Sequence, residues 1–305
     1  MLRGSMVALV TPFKNGELDE AKVAELCEFH LAHGTHAIVP SGTTGESPTL
    51  NDDERVRLFR KVKATLKGKI PMIAGCGSNS TAKSIQTVKI AEECGADAAL
   101  VVTPYYNKPT QEGLYRHYEA IAKATRLPIV LYNVPGRTSV NLLPETVARL
   151  SKIPNIAANK EASGSLDQIT QIIATAPRVN IISGDDAMTF PILALGGVGV
   201  ISVAANVIPR DMATMCDAFA AGDIAKAREI HVRFHNLMKT LFIETSPIPV
   251  KAAMKHMGLI NGELRLPLCE ISSSADEKLK AVLKEYGLLG KKAEASKKSP
   301  VKARK

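Results

Sequence analysis

The chain has 305 residues, 45% of them hydrophobic, and a formal charge of +9, which is enough for one large α/β domain or two smaller ones. No uncharged apolar run reaches the roughly 18 residues that a membrane-spanning helix needs, and the apolar part of the N-terminus is too short for a signal peptide, so a cytoplasmic protein is expected. Most of the positive charge lies in residues 291–305, where seven Lys or Arg face one acid, so the rest of the chain is nearly balanced and nucleic acid is not the expected partner.

Short apolar runs recur at 6–10, 37–40, 70–75, 98–103, 129–132, 156–160, 181–184 and 200–203. Most are β-branched or continuously apolar, as in parallel strands buried on both faces. Helical patterns lie between them. Asp19 caps a stripe that includes Val23, Leu26, Cys27 and Leu31 and stops at Gly34. Asn51 precedes three acids and the stripe Val56, Phe59, Val62, and a third helix covers 81–94 with Gly95 as its stop. Eight strand–helix units predict an α/β fold of the (β/α)8 TIM-barrel type over residues 1–208, with a closing helix extending to about 225; a doubly wound sheet is the alternative. Strand signals then cease. Helices expected at 211–221, 224–242, 249–257 and 274–286 make 209–290 a helical C-terminal appendage, and 291–305 is a Lys/Ala/Ser/Pro tail expected to be disordered.

In such a barrel the chemistry sits at the C-terminal ends of the strands. The residues there are Gly42-Thr43-Thr44-Gly45-Glu46, Tyr105-Tyr106-Asn107, Tyr132 to Thr138, Lys160 and Gly184-Asp185-Asp186. Five scattered cysteines and seven histidines form no pair or cluster with metal-ligand spacing, so neither metal nor cofactor is expected. Lys160 is either a paired structural cation or an amine kept neutral for attack on a ketone, which requires burial because a free lysine titrates at about 10.4. Tyr132 is either packed at a strand end or a proton shuttle. Thr43 and Thr44, between glycines, form a capping turn or hold a carboxylate, and Arg137 is an exposed loop residue or a bidentate carboxylate clamp. A small 2-oxo acid and a second carboxylated substrate would satisfy the whole set.

These stretches resemble the dihydrodipicolinate synthase family, in the pyruvate-dependent class I aldolase superfamily of N-acetylneuraminate lyase. The similarity runs from Gly4 to about Leu289. It rests on Gly42 to Glu46, the lysine before Glu161 and Gly197-Val198-Gly199-Val200-Ile201-Ser202, and more narrowly on Tyr105 to Gln111, Tyr132 to Thr138 and Pro247-Ile248-Pro249-Val250-Lys251. The resemblance implies a lyase that condenses pyruvate with L-aspartate 4-semialdehyde to 4-hydroxy-tetrahydrodipicolinate, the first committed step towards diaminopimelate and lysine. It also implies a homotetramer built as a dimer of dimers. By the same resemblance Lys160 forms the Schiff base and Tyr132, Thr43 and Tyr106 relay protons, Tyr106 from a neighbouring subunit. Thr44 and the backbone at Ile201 hold pyruvate, and Arg137 binds the semialdehyde carboxylate. The rival is another aldolase of the superfamily acting on a sugar-derived aldehyde, which would lack the carboxylate that Arg137 binds.

Two departures, Asn159 where the family usually has an aliphatic residue and Ser246 where asparagine is common, touch none of these roles. A third concerns feedback. Lysine-sensitive relatives place imidazoles at the positions of Asp52 and Arg55 and a carboxylate at Lys83, beside matching Ser47, Asn79 and Tyr105. Arg55 and Lys83 would repel an effector's ammonium by several kcal/mol at about 4 Å and an effective dielectric of about 20. Weak or absent inhibition by lysine is expected.

Overall fold

The eight apolar runs form eight parallel strands: β1 (Gly4–Ala8), β2 (Ala37–Val39), β3 (Ile73–Gly75), β4 (Ala98–Val102), β5 (Ile129–Asn133), β6 (Ile156–Glu161), β7 (Asn180–Ser183) and β8 (Gly199–Ser202). The computed structural model describes residues 2–289, and the basic stretch 291–305 lies outside the described residues. Each strand pairs with its sequence neighbours, and β1 also pairs with β8. The last seam, β2 to β3, is joined by an Ile38–Met72 bridge and by Gly75 N donating to Pro40 O at 2.9 Å, which gives a barrel and excludes the doubly wound sheet.

Strand alternation sorts the side chains. Met6, Ala8, Leu100, Val130, Ile182 and Ile201 fill the barrel interior, whereas Val7, Ile38, Val101, Leu131 and Val200 pack under the helices. Those helices are α1 (Glu20–Ala32), α2 (Asp52–Leu66), α3 (Thr81–Glu93), α4 (Gln111–Lys123), α5 (Pro144–Leu150), α6 (Leu166–Thr175), α7 (Thr189–Ala194) and α8 (Pro209–Ala220). The caps follow the residues: Asp19 accepts from Lys22 N, and Asn51 and Glu54 form a reciprocal capping box. Helix α8 packs on β1 as the eighth barrel helix. The helices beyond it are α9 (Ile224–Thr240), α10 (Ile248–His256) and α11 (Ser273–Glu285).

One small element was not predicted. Phe13–Lys14 and Glu17–Leu18 form a two-stranded hairpin whose turn residues Asn15 and Gly16 both have positive φ, 54° and 81°. Glu263, beyond α10, accepts from the backbone N–H of both turn residues and ties the hairpin to the appendage.

Two buried imidazoles set an acid limit on stability. Burial holds His30, whose Nδ1 lies 3.0 Å from Thr35 Oγ1, down to about 3, and His117 down to about 4. Both pKa values are depressed in the folded chain, so their stabilisation is complete above about 6.5 and is lost as pH falls from there towards the folded values. His30 alone accounts for about 2 kcal/mol between pH 7.5 and 5. In urea unfolding at those two pH values, His30→Gln is expected to lose about 2 kcal/mol less than the parent chain; equal losses would contradict this.

Candidate active site

Lys160 and Tyr132 face each other across adjacent strands, paired in register on β6 and β5. Ala158 lines the barrel interior, so Lys160, two residues on, points the same way. Lys160 is 6% exposed, and its Nζ lies 4.0 Å from the centre of the Tyr132 ring. No carboxylate among the described residues comes within 4.0 Å of that Nζ, which removes the paired-cation alternative. Glu161 points outwards instead. It accepts from Asn133, from Asn159 Nδ2 at 3.1 Å and from Ser163 N at 2.8 Å, and burial pushes its carboxyl up. Asn159 therefore belongs to a polar cluster behind the strand, which is why a polar residue is tolerated beside the lysine.

Space around the amine is kept by glycine. A Cβ on Gly184 would meet Lys160 Cε at 3.2 Å and Ala162 Cβ at 2.8 Å. A Cβ on Gly75 would fall 2.1 Å from Ser41 O, so only glycine lets the loop after β2 press against the end of β3. That loop carries Thr43 and Thr44 in a tight turn, with Gly45 N donating to Gly42 O at 3.0 Å and Glu46 N to Thr43 O at 3.1 Å. Thr44 is buried. Thr43 is half-buried and borders both a narrow crevice shared with Tyr132 and a wider cavity of about 240 Å³ shared with Arg137.

Ile201 lies buried on β8 opposite Met6 of β1. The chain just past it is held by Asp186, whose Oδ2 accepts from Val203 N at 3.1 Å and Ala204 N at 2.9 Å; burial pushes this carboxyl up to about 6. Arg137 sits in a single helical turn, Pro135–Thr138, and its Nη2 donates to Ser246 O at 3.1 Å. Ser246 thus does touch a predicted site residue, through its carbonyl. Tyr106 stands apart from the rest. It is 89% exposed, with φ at +74°, at the centre of a tight turn in which Asn107 N donates to Tyr105 O at 2.9 Å. A γ-turn of that hand is rare and strained.

The sequence reading missed the support beneath this site. Glu46 and Lys251 are both fully buried and paired, Nζ to Oε1 at 2.5 Å; Lys251 also donates to Thr11 O at 2.9 Å. Arg265 N donates to the other Glu46 oxygen at 3.0 Å. Glu46 ends the stretch Gly42 to Glu46 and Lys251 the stretch Pro247 to Lys251, but they lie 205 positions apart and nothing in the sequence pairs them. Cys76 also borders the cavity, but burial raises its thiol far above the usual range, so it offers no nucleophile. The set that remains is a buried amine against a phenol, two threonine hydroxyls and an arginine at the rim, which fits imine chemistry on a carboxylated ketone.

Residues 1–286 match the dihydrodipicolinate synthetase family. The chain is 53% identical over 290 residues to the 4-hydroxy-tetrahydrodipicolinate synthase of Thermodesulfovibrio yellowstonii, covering 95% of this chain and all of that protein. The crystal structure of dihydrodipicolinate synthase from Thermotoga maritima superposes with a TM-score of 0.93 at 51% identity, covering 95% of this chain and all of the other. A monomeric dihydrodipicolinate synthase variant superposes equally well, 0.93 at 50% identity, over 94% of this chain and 98% of its own.

Proposed function

The chain belongs to the dihydrodipicolinate synthetase family, and from that premise we propose that it condenses pyruvate with L-aspartate 4-semialdehyde through a Schiff base on Lys160. The product is 4-hydroxy-tetrahydrodipicolinate, and the step commits carbon to diaminopimelate and lysine. The observation that carries the residue assignment is the Lys160 amine, buried, unpaired with any described carboxylate and 4.0 Å from the Tyr132 ring centre.

The Lys160 amine attacks the ketone carbon of pyruvate, and the Tyr132 phenol protonates the departing hydroxyl, which leaves as water. Loss of a methyl proton from the resulting imine gives an enamine, whose carbon adds to the aldehyde of the second substrate. The amino group of that substrate then attacks the imine carbon, closes the ring and displaces Lys160. Thr43 borders the same crevice as Tyr132, which supports its place in the proton relay. Thr44 and the backbone at Ile201 hold the pyruvate carboxylate. Tyr106 completes the relay from a neighbouring subunit of a homotetramer; its exposure and positive φ support that role, since a strained, solvent-facing tyrosine gains nothing within its own chain. No described helix is long and apolar enough to cross a membrane, and the cytoplasm is the compartment proposed.

Arg137 tests the acceptor. A lost charge-assisted contact to a carboxylate is worth about 1.5–3 kcal/mol, so Arg137→Ala is expected to raise KM for the semialdehyde by roughly 10- to 100-fold while the pyruvate adduct still forms. An unchanged semialdehyde KM in steady-state assays would remove Arg137 from the acceptor site.

A further inference from the structure

Lys160 and Tyr132 meet across the β5–β6 ladder, and that ladder changes register before it reaches them: Ile129 faces Ile156, but Val130 faces Ala158. β6 therefore carries one extra residue, Ala157, opposite β5. A slip of one position turns every following side chain to the other face of a strand, so the pairing past Ala157 needs a fixture of its own. One position beyond the Tyr132–Lys160 pair, Asn133 faces Glu161. Tyr132 lines the barrel interior, so Asn133 and Glu161 both point to the outer side.

There the Glu161 carboxylate is surrounded by donors. Its Oε1 accepts from Asn133 Nδ2 at 3.0 Å and Ser163 N at 2.8 Å, and its Oε2 from Asn159 Nδ2 at 3.1 Å. Asn133 cannot turn its amide, because its Oδ1 accepts from Leu142 N at 2.9 Å and its Nδ2 also donates to Asn141 Oδ1 at 2.8 Å. Asn141 exchanges two further bonds with Gln168 of α6, at 2.7 and 3.1 Å. Asn133, Asn159, Glu161 and Gln168 are all buried. Two residues back on the same outer face of β5, Leu131 packs under the helices with no polar group at all. Burying four polar side chains costs stability unless each is paired, so packing alone gives no reason for a carboxylate here.

We propose that Glu161 is a positioning residue: acting through Asn133, it holds the Lys160 amine opposite the Tyr132 phenol and touches no substrate. The proposal rests on the Schiff-base role given to Lys160 above. With Nζ 4.0 Å from the ring centre there is little slack, since a misplacement of about 1 Å costs up to about 10²-fold in rate. The pyruvate carboxylate is held elsewhere, by Thr44 and the backbone at Ile201, so loss of Glu161 slows the amine without loosening the substrate.

The test follows the pyruvate adduct on Lys160 against time and pyruvate concentration at pH 8, by borohydride quenching and mass spectrometry. It compares the parent, Glu161→Leu, Glu161→Gln and Asn133→Asp, with circular dichroism giving the folded fraction of each. Per folded molecule, Glu161→Leu is expected to form adduct at least about tenfold more slowly at saturating pyruvate, with half-saturation within about threefold of the parent. Glu161→Gln is expected to recover to within about threefold of the parent rate: its oxygen still serves Asn133 and Ser163, and its NH2 can pair with Asn159, whose Oδ1 has no partner among the described residues. Asn133→Asp, unchanged in size, sets two carboxyls face to face and is expected to be slow like Glu161→Leu. Parent rates per folded molecule in Glu161→Leu and Asn133→Asp, or a half-saturation that rises as the rate falls, overturn the proposal. So does failure of both to fold, which would leave the cluster a purely structural role, and so does Glu161→Gln as slow as Glu161→Leu. A parent that forms no adduct overturns the Schiff-base reading and this proposal together; a parent that forms one keeps that reading whatever the variants do.

Discussion

Lys160→Arg is expected to keep its fold and to lose turnover of pyruvate with L-aspartate 4-semialdehyde by at least about 10³-fold. Arginine preserves the positive charge and nearly the length, but its guanidinium stays protonated at any working pH and cannot attack a ketone. The substitution therefore separates the two uses of a buried cation. A lysine retained for packing or charge would tolerate arginine, particularly one with no carboxylate within 4.0 Å among the described residues. Steady-state assays with dihydrodipicolinate reduction as the coupled readout, alongside circular dichroism, measure both consequences. A variant that keeps a tenth of the activity would show that the amine is not the nucleophile.

The second large effect is on stability and comes from outside the chemistry. Lys251→Met leaves Glu46 charged and fully buried, and removing one partner of such a pair costs about 3–5 kcal/mol. Burial pushes the Lys251 amine down and the Glu46 carboxylate pulls it back up, so the lysine's charge depends on its partner. A melting temperature lower by roughly 6–12 °C is expected for a chain of this size. Glu46→Gln combined with Lys251→Met should recover part of the loss, because the double substitution leaves no unpaired charge. Equal melting of the single variant and the parent would mean that the pair contributes nothing. The pair matters for function because Glu46 ends the turn that carries Thr43 and Thr44, and Lys251 anchors that turn to α10.

The barrel was legible because each strand is a short, continuous apolar run, and a buried parallel strand has little else to encode. Strand edges shifted where single residues decide the ladder. The third strand begins at Ile73, not at 70, because Pro71 has no N–H to give; its carbonyl instead accepts from Ile38 at 3.1 Å. The hairpin at Asn15-Gly16 carried a strong local signal, two turn residues suited to positive φ, but flanking strands of two residues each gave no alternation to read. Within the site, Lys160 and Tyr132 were found one by one from strand ends, and their pairing in register follows from the barrel itself. The Glu46–Lys251 pair and the Ser246 carbonyl on Arg137 were not legible, since both link the barrel mouth to the appendage across more than a hundred residues. The outward posture of Tyr106 is a backbone property, φ at +74°, that no side-chain pattern announces.

The most direct test of the central claim is to reduce the protein with borohydride in the presence of pyruvate, digest it and locate the adduct by mass spectrometry. The account predicts a single pyruvate-derived adduct on the peptide containing Lys160, absent without pyruvate and absent in Lys160→Arg. An adduct on another lysine, or none while turnover continues, would contradict it.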